Sequence, residues 1–145
     1  MQGMEVSMHR FRLSPHRLVT WVLLSASALW VAPVWAGTPA QQLEALTAQA
    51  GRHPNVAQGQ QFFNATHGRE WSCASCHNAT PTGAGKHAST GKAITALAPA
   101  FNPERFTDPA KSEKWFRRNC KDVLARECSA SEKADVLAWL ISLKR

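Results

Sequence analysis

Hydrophobic residues in this chain fall into one long block and several short periodic sets. The block runs from Leu18 to Val34 and ends in Val34-Trp35-Ala36, behind a basic stretch of His9, Arg10, Arg12, His16 and Arg17. Basic, apolar and small-residue parts in that order are those of a secretory signal, with cleavage expected after Ala36. A retained membrane anchor is the competing reading, because the block approaches a bilayer-spanning length. The pattern divides the chain into a leader, 1–36, and one domain, 37–145. Thr38-Pro39 has the form of a capped helix start; Leu43, Leu46 and Ala50 follow at helical spacing, and Gly51 stops the run. A second short helix is expected from Asn55, carrying Phe62 and Phe63. Asp108-Pro109 opens a third helix through Trp115 and Phe116 to about Asn119 or further. Ser129-Ala130-Ser131-Glu132 is a capping box, and the helix it starts holds Val136, Leu137, Trp139, Leu140, Ile141 and Leu143. Residues 78–103 are rich in Gly, Pro, Thr and Ala and read as a long loop with one helical turn near Ile94 to Leu97. No strand alternation and no repeat is visible, so the predicted class is all-α.

Charge changes this picture little. The whole chain carries 17 Lys/Arg and 10 Asp/Glu; the leader accounts for three and one of these, which leaves 14 and 9, or +5, in the domain. A modest positive surplus helps to steer an acidic partner. No Lys/Arg block is dense enough to argue for nucleic acid.

Cysteine placement changes it more. All four cysteines, Cys73, Cys76, Cys120 and Cys128, lie in the domain, and export would put them in an oxidising compartment, the periplasm, where thiols are consumed. Cys73-Ala74-Ser75-Cys76-His77 is C-x-x-C-H, the spacing at which two thiols on one helical turn meet the two vinyl groups of a haem and the following histidine supplies an axial nitrogen. A redox dithiol would sit in a βαβ context, which is absent. A zinc site would need a second close pair, whereas seven residues separate Cys120 from Cys128. One covalent haem c at Cys73, Cys76 and His77 is therefore expected. It would also explain the loop of 78–103, since a large apolar cofactor can be the core around which such a segment wraps. Phe62, Trp71, Leu97, Trp115 and Leu140 are candidates to pack against it, and Arg69, Lys86 and Lys92 to pair with its propionates.

The opposite side of the iron is less determined. The three methionines, Met1, Met4 and Met8, all precede the expected cleavage site, so the mature domain has none to offer. His53, His67, His87, a lysine, an amide, water or nothing remain; His87 is the best histidine because its loop follows the motif.

Thr90-Gly91-Lys92, Ala98-Pro99, Arg105-Phe106-Thr107-Asp108, Glu113-Lys114-Trp115, Arg118-Asn119-Cys120, Glu127-Cys128 and Glu132-Lys133-Ala134-Asp135 together resemble the sphaeroides haem protein family. These are small monohaem cytochromes c, and the resemblance runs from about Gly59 to the end of the chain. It implies a cytochrome c-like helical domain wrapped around one haem, with Asn119 as a weak sixth ligand and a disulfide between Cys120 and Cys128. It further implies binding of small diatomic gases by reduced iron and a dihaem cytochrome c as redox partner. Three functions stay open: a gas-binding redox protein acting on a small oxygen or nitrogen species, an electron shuttle closed by His87, and a gas carrier or sensor without turnover. The sequence shows no general acid/base pair that would argue for catalysis.

Overall fold

The computed structural model of the protein describes residues 37–145; the leader and its cleavage site lie outside the described residues. Five helices and one short hairpin follow in the order α1 (Pro39–Ala50), α2 (Val56–Asn64), α3 (Ala74–His77), β1 (Gly85–Lys86), β2 (Ala93–Ile94), α4 (Pro109–Leu124) and α5 (Ala130–Ser142). Among these residues no helix is long and apolar enough to cross a membrane.

The caps are those read from the sequence. Thr38 and Gln41 form a full capping box before α1, Asn55 and Asp108 accept from the backbone of Gln58 and Lys111, and Ser129 with Glu132 forms the box that starts α5. Gly51 ends α1 in the left-handed region at φ 65°. Each cap satisfies an amide that the helix itself cannot.

Helix α5 is the centre of the domain. Every residue from Lys133 to Leu140 is buried, so the helix is enclosed on all sides, as an apolar helix in a core must be. Helices α1 and α2 both pack against it. Phe63 of α2 joins Val136, Trp139 and Leu140 in the core, with the Phe63 and Trp139 rings 4.9 Å apart. The approach of α2 is close enough to need a glycine: a Cβ on Gly59 would collide with the carbonyl of Asp135.

Two charged residues in the buried run are matched. The Asp135 carboxylate accepts from both terminal nitrogens of Arg52, at 3.0 and 2.6 Å, and from the backbone N–H of Asn55 at 2.7 Å. The Lys133 ammonium donates to both oxygens of Glu113 on α4, at 2.7 and 2.8 Å.

The segment after α3 corrects the expectation of a structureless loop with a helical turn. It folds back as an antiparallel ribbon, Gly85 opposite Ile94 and Lys86 opposite Ala93. Ile94 is in β2, and the amides of Leu97 and Ala98 both donate to the Pro81 carbonyl. Asn102 and Arg105 then hold the chain at Ala96. Two-residue strands are too short to show alternation in the sequence, and here the closing hydrogen bonds are made at a distance.

Two changes follow from these contacts. Gly59→Ala should cost about 2–3 kcal/mol in urea unfolding of the holoprotein, because overpacking against α5 outweighs the gain in helix propensity. Arg126, donating to both Glu132 oxygens at 2.9 and 2.7 Å, and the capping amide of Ser129 hold Glu132 down at about 2. Its contribution is complete above the ordinary carboxylate range and lost as pH falls from about 4.5 towards 2. Glu132→Gln should therefore cost about 1 kcal/mol at pH 7, allowing for solvent screening, and little at pH 2.

Candidate haem-attachment site

Cys73, Cys76 and His77 occupy a single helical turn. Cys73 is its N-cap, with helical φ −59° and ψ −38°; the amides of Cys76 and His77 return to the Cys73 carbonyl at 3.3 and 3.1 Å. At a spacing of three the two side chains share a face of the turn. Ser72 and Ser75 brace it, each backbone N–H donating to the other's hydroxyl, at 3.0 and 3.2 Å.

Both thiols are unpaired. Burial pushes Cys73 up to about 11, and the Cys76 sulfur accepts from the Ala88 amide at 3.3 Å. Burial, and then the positive charge of Arg105, push His77 down to about 4. At neutral pH its imidazole is uncharged, the form with a lone pair for a metal. The ring stands 6.3 Å from that of Phe63, so the core helices set its position.

The ribbon holds the turn from the other side. A Cβ on Gly85 would run into the Cys76 carbonyl and meet His77 Cα at 3.1 Å, so the backbone of β1 lies directly on the C-x-x-C-H turn. Asn78 leaves that turn in the left-handed region, φ 67°, and its amide donates to the Ala84 carbonyl at 3.0 Å.

Helix α4 approaches no other helix as closely as α1 and α2 approach α5. Trp115, Asn119 and Asp122 share one of its faces by helical spacing. Asp122 lines a cavity of about 380 Å³ with Gly68, Arg69, Glu70 and Trp71, the segment that leads into Cys73. Asn55, Asn64, Asn78 and Asn102 all use their side chains in hydrogen bonds. Half-buried Asn119 makes none among the described residues. The next residue, Cys120, is bridged to Cys128, with Cα atoms 5.6 Å apart and both residues buried.

The histidines differ in how they are occupied. His53 is exposed. His67 donates to the Phe62 carbonyl at 2.8 Å and packs on the Phe62 ring, closing the end of α2. His87 Nδ1 accepts the Thr90 amide at 3.3 Å at the ribbon tip. Of the packing candidates, Phe62 and Leu97 lie against the core, Leu140 is inside it, Trp71 lines the cavity, and Trp115 is 44% exposed with Arg118 over its ring. Arg69 lines the cavity, while Lys86 and Lys92 are exposed on the ribbon. Sequence reasoning gave Gly85 and Arg105 no place at the site, although Arg105 lies in one of the segments that carry the family resemblance. A lone Arg or Gly in a loop carries no signal until the loop's path is known.

Residues 49–140 match a family described as "Domain of unknown function (DUF1924)". The chain is 44% identical over 123 residues to cytochrome c-type protein SHP of Cereibacter sphaeroides, covering 81% of this chain and 95% of the relative. The structure of oxidized SHP, described as an oxygen-binding cytochrome c, superposes with a TM-score of 0.69 at 43% identity, over 74% of this chain and 98% of that one. A solution structure of cytochrome c'' from Methylophilus methylotrophus, concerned with haem-ligand detachment, gives a TM-score of 0.63 at 37% identity, over 74% and 94% of the two chains. This chain is an SHP-like cytochrome c.

Members of this SHP-like family are c-type cytochromes with one covalent haem, and the residues present in this SHP-like chain suit that group. Two unpaired thiols and a neutral imidazole share one turn, and among the described residues no cluster of three or more His, Cys, Asp or Glu offers a rival metal site. The bridge closes a short loop, so Cys120→Ser with Cys128→Ser should lower stability by about 2.5 kcal/mol on the chain-entropy account, read as a lower urea midpoint of the holoprotein.

Proposed function

We propose that the mature protein, 37–145, is an exported, redox-active gas-binding cytochrome. Its haem is attached through Cys73 and Cys76 and held by His77, with Asn119 as a weak sixth ligand that leaves on reduction. The haem supplies a reversible Fe(III)/Fe(II) couple and, once reduced and open on one side, a position for O2, NO or CO.

The observation that carries the reading is Asn119: the one asparagine without a side-chain hydrogen bond among the described residues, on α4 and directly before the Cys120–Cys128 bridge. A neutral amide oxygen is a hard donor that suits ferric iron better than ferrous, so Asn119 would release as the iron is reduced. The Cys120–Cys128 bridge and the Lys133–Glu113 pair would hold α4 while the side chain alone moves. His87 is a poorer candidate. At the ribbon tip its Nδ1 accepts the Thr90 amide at 3.3 Å, which ties the ring to its own loop. The oxygen binding described for SHP and the ligand detachment described for cytochrome c'' support the same reading.

The leader places the protein in the periplasm, tethered to the membrane only where the leader is uncleaved. A redox protein, a dihaem cytochrome c by family resemblance, would deliver the electron, and the domain's surplus of +5 would favour an acidic docking face on it.

Optical spectra of the purified holoprotein test this. The ferric form should show a high-spin charge-transfer band towards the red, and the dithionite-reduced form a Soret band that shifts on adding carbon monoxide. Asn119→Ala should alter the ferric spectrum and leave the ferrous carbon monoxide spectrum as it was. Sharp low-spin bands that ignore carbon monoxide would instead mean a strong second ligand such as His87, and an electron carrier.

A further inference from the structure

Helix α4 carries five basic side chains, Lys111, Lys114, Arg117, Arg118 and Lys121, and all of them are exposed. The three ion pairs among the described residues use Arg52, Arg126 and Lys133 and leave these five out. The helix has two acids of its own: Glu113 is taken by Lys133 of α5, and Asp122 lies near the far end. Five basic and two acidic residues give α4 +3 of the domain's +5. Lys111, Lys114, Arg118 and Lys121 follow one another at steps of three, four and three, which lines them along one side of the helix. Like charges at those steps repel and weaken a helix, and no ion pair of the domain offsets the row.

Trp115 is set into this row. It is 44% exposed, and the Arg118 guanidinium lies over its ring at 5.7 Å. The other side of α4 is used in packing, with Phe116 against the core and Cys120 and Val123 buried. Aromatic and Arg side chains are the types that centre protein–protein interfaces. A helix that lies on a membrane needs an apolar face to insert, and the apolar face of α4 is already covered.

We infer that the exposed side of α4 is the docking surface for the protein that delivers the electron, and that this partner meets it with an acidic face. The inference deepens the reading of the chain as a redox-active haem protein and rests on it. In the docked pair one electron leaves the partner's reduced cofactor and converts the ferric iron to ferrous.

Stopped-flow reduction of the ferric holoprotein by flavodoxin hydroquinone, an acidic protein that gives up one electron to become the semiquinone, tests this. Covalent haem staining comes first: unstained wild type would bring down the haem reading, and this inference with it. Loss of carbon monoxide binding alone would count against the gas-binding reading and leave the docking measurement intact. Lys111→Glu with Lys114→Glu, both away from Asn119 and the bridge, is compared with Lys144→Glu with Arg145→Glu at the exposed chain end. The two variants have the same net charge. The α4 variant should be reduced about tenfold more slowly at low ionic strength, with a flatter dependence on salt. The chain-end variant should stay close to wild type. Neutral lumiflavin semiquinone, which needs no docking, should reduce all three equally. Equal slowing of both variants by flavodoxin would mean that net charge alone steers, and would overturn the inference. So would an α4 variant as fast as wild type, or one slowed as much with lumiflavin as with flavodoxin. Binding of the wild type to phosphatidylglycerol vesicles at about 0.15 M salt, lost in the α4 variant while its reduction by flavodoxin is unchanged, would make the face a membrane contact and overturn it too. Should the glutamate variant fail to accumulate, Lys111→Gln with Lys114→Gln against Lys144→Gln with Arg145→Gln decides the same comparison.

Discussion

The Asp135 carboxylate is where the chain is drawn together. It lies in the enclosed run of α5, 4% exposed, and receives Arg52 from the end of α1 and the Asn55 amide from the start of α2. Without these donors it would be a charge in a low-dielectric interior, which is strongly destabilising. With them it fixes the turn between α1 and α2 and the line along which α2 crosses α5. The absence of a side chain at Gly59 lets that crossing close to backbone contact. Phe63, one helical turn on, is thereby pressed against Trp139 and faces His77. The position of the imidazole is in this sense inherited from a carboxylate far from it in sequence.

The C-x-x-C-H turn is held between two different kinds of support. On one side is the apolar core, against which Cys73 and Ala74 pack. On the other is a backbone ribbon, brought down on Cys76 and His77 by Gly85 and fastened by the Pro81 carbonyl, Asn102 and Arg105. Four residues of helix would not persist alone. Enclosure on both sides makes the turn rigid enough to present three side chains in fixed relation.

Helix α4 is held differently. It is tied to α5 near its start by Glu113 and Lys133, and near its end the Cys120–Cys128 bridge joins it to the segment just before α5, with Phe116 reaching the core between them. A helix anchored by side chains and a covalent link can stand off from the bundle without losing its register.

Much of this was legible in the linear chain. The helix starts could be read from Thr38, Asn55, Asp108 and Ser129, because a cap is a local contact between residues three apart. The single helical turn at Cys73, Cys76 and His77 could be read from their spacing, because C-x-x-C-H fits on one turn. The lack of methionine beyond residue 8 and the family resemblance are where the proposal of Asn119 as sixth ligand starts. Tertiary structure alone decided the rest. The ribbon at 85–94, the glycine at 85 and the hydrogen bonds of Arg105 depend on which distant backbone each residue meets, and composition carries no trace of that. The same holds for the histidines: His67 and His87 look alike as letters, and only their neighbours show one closing a helix and the other a ribbon.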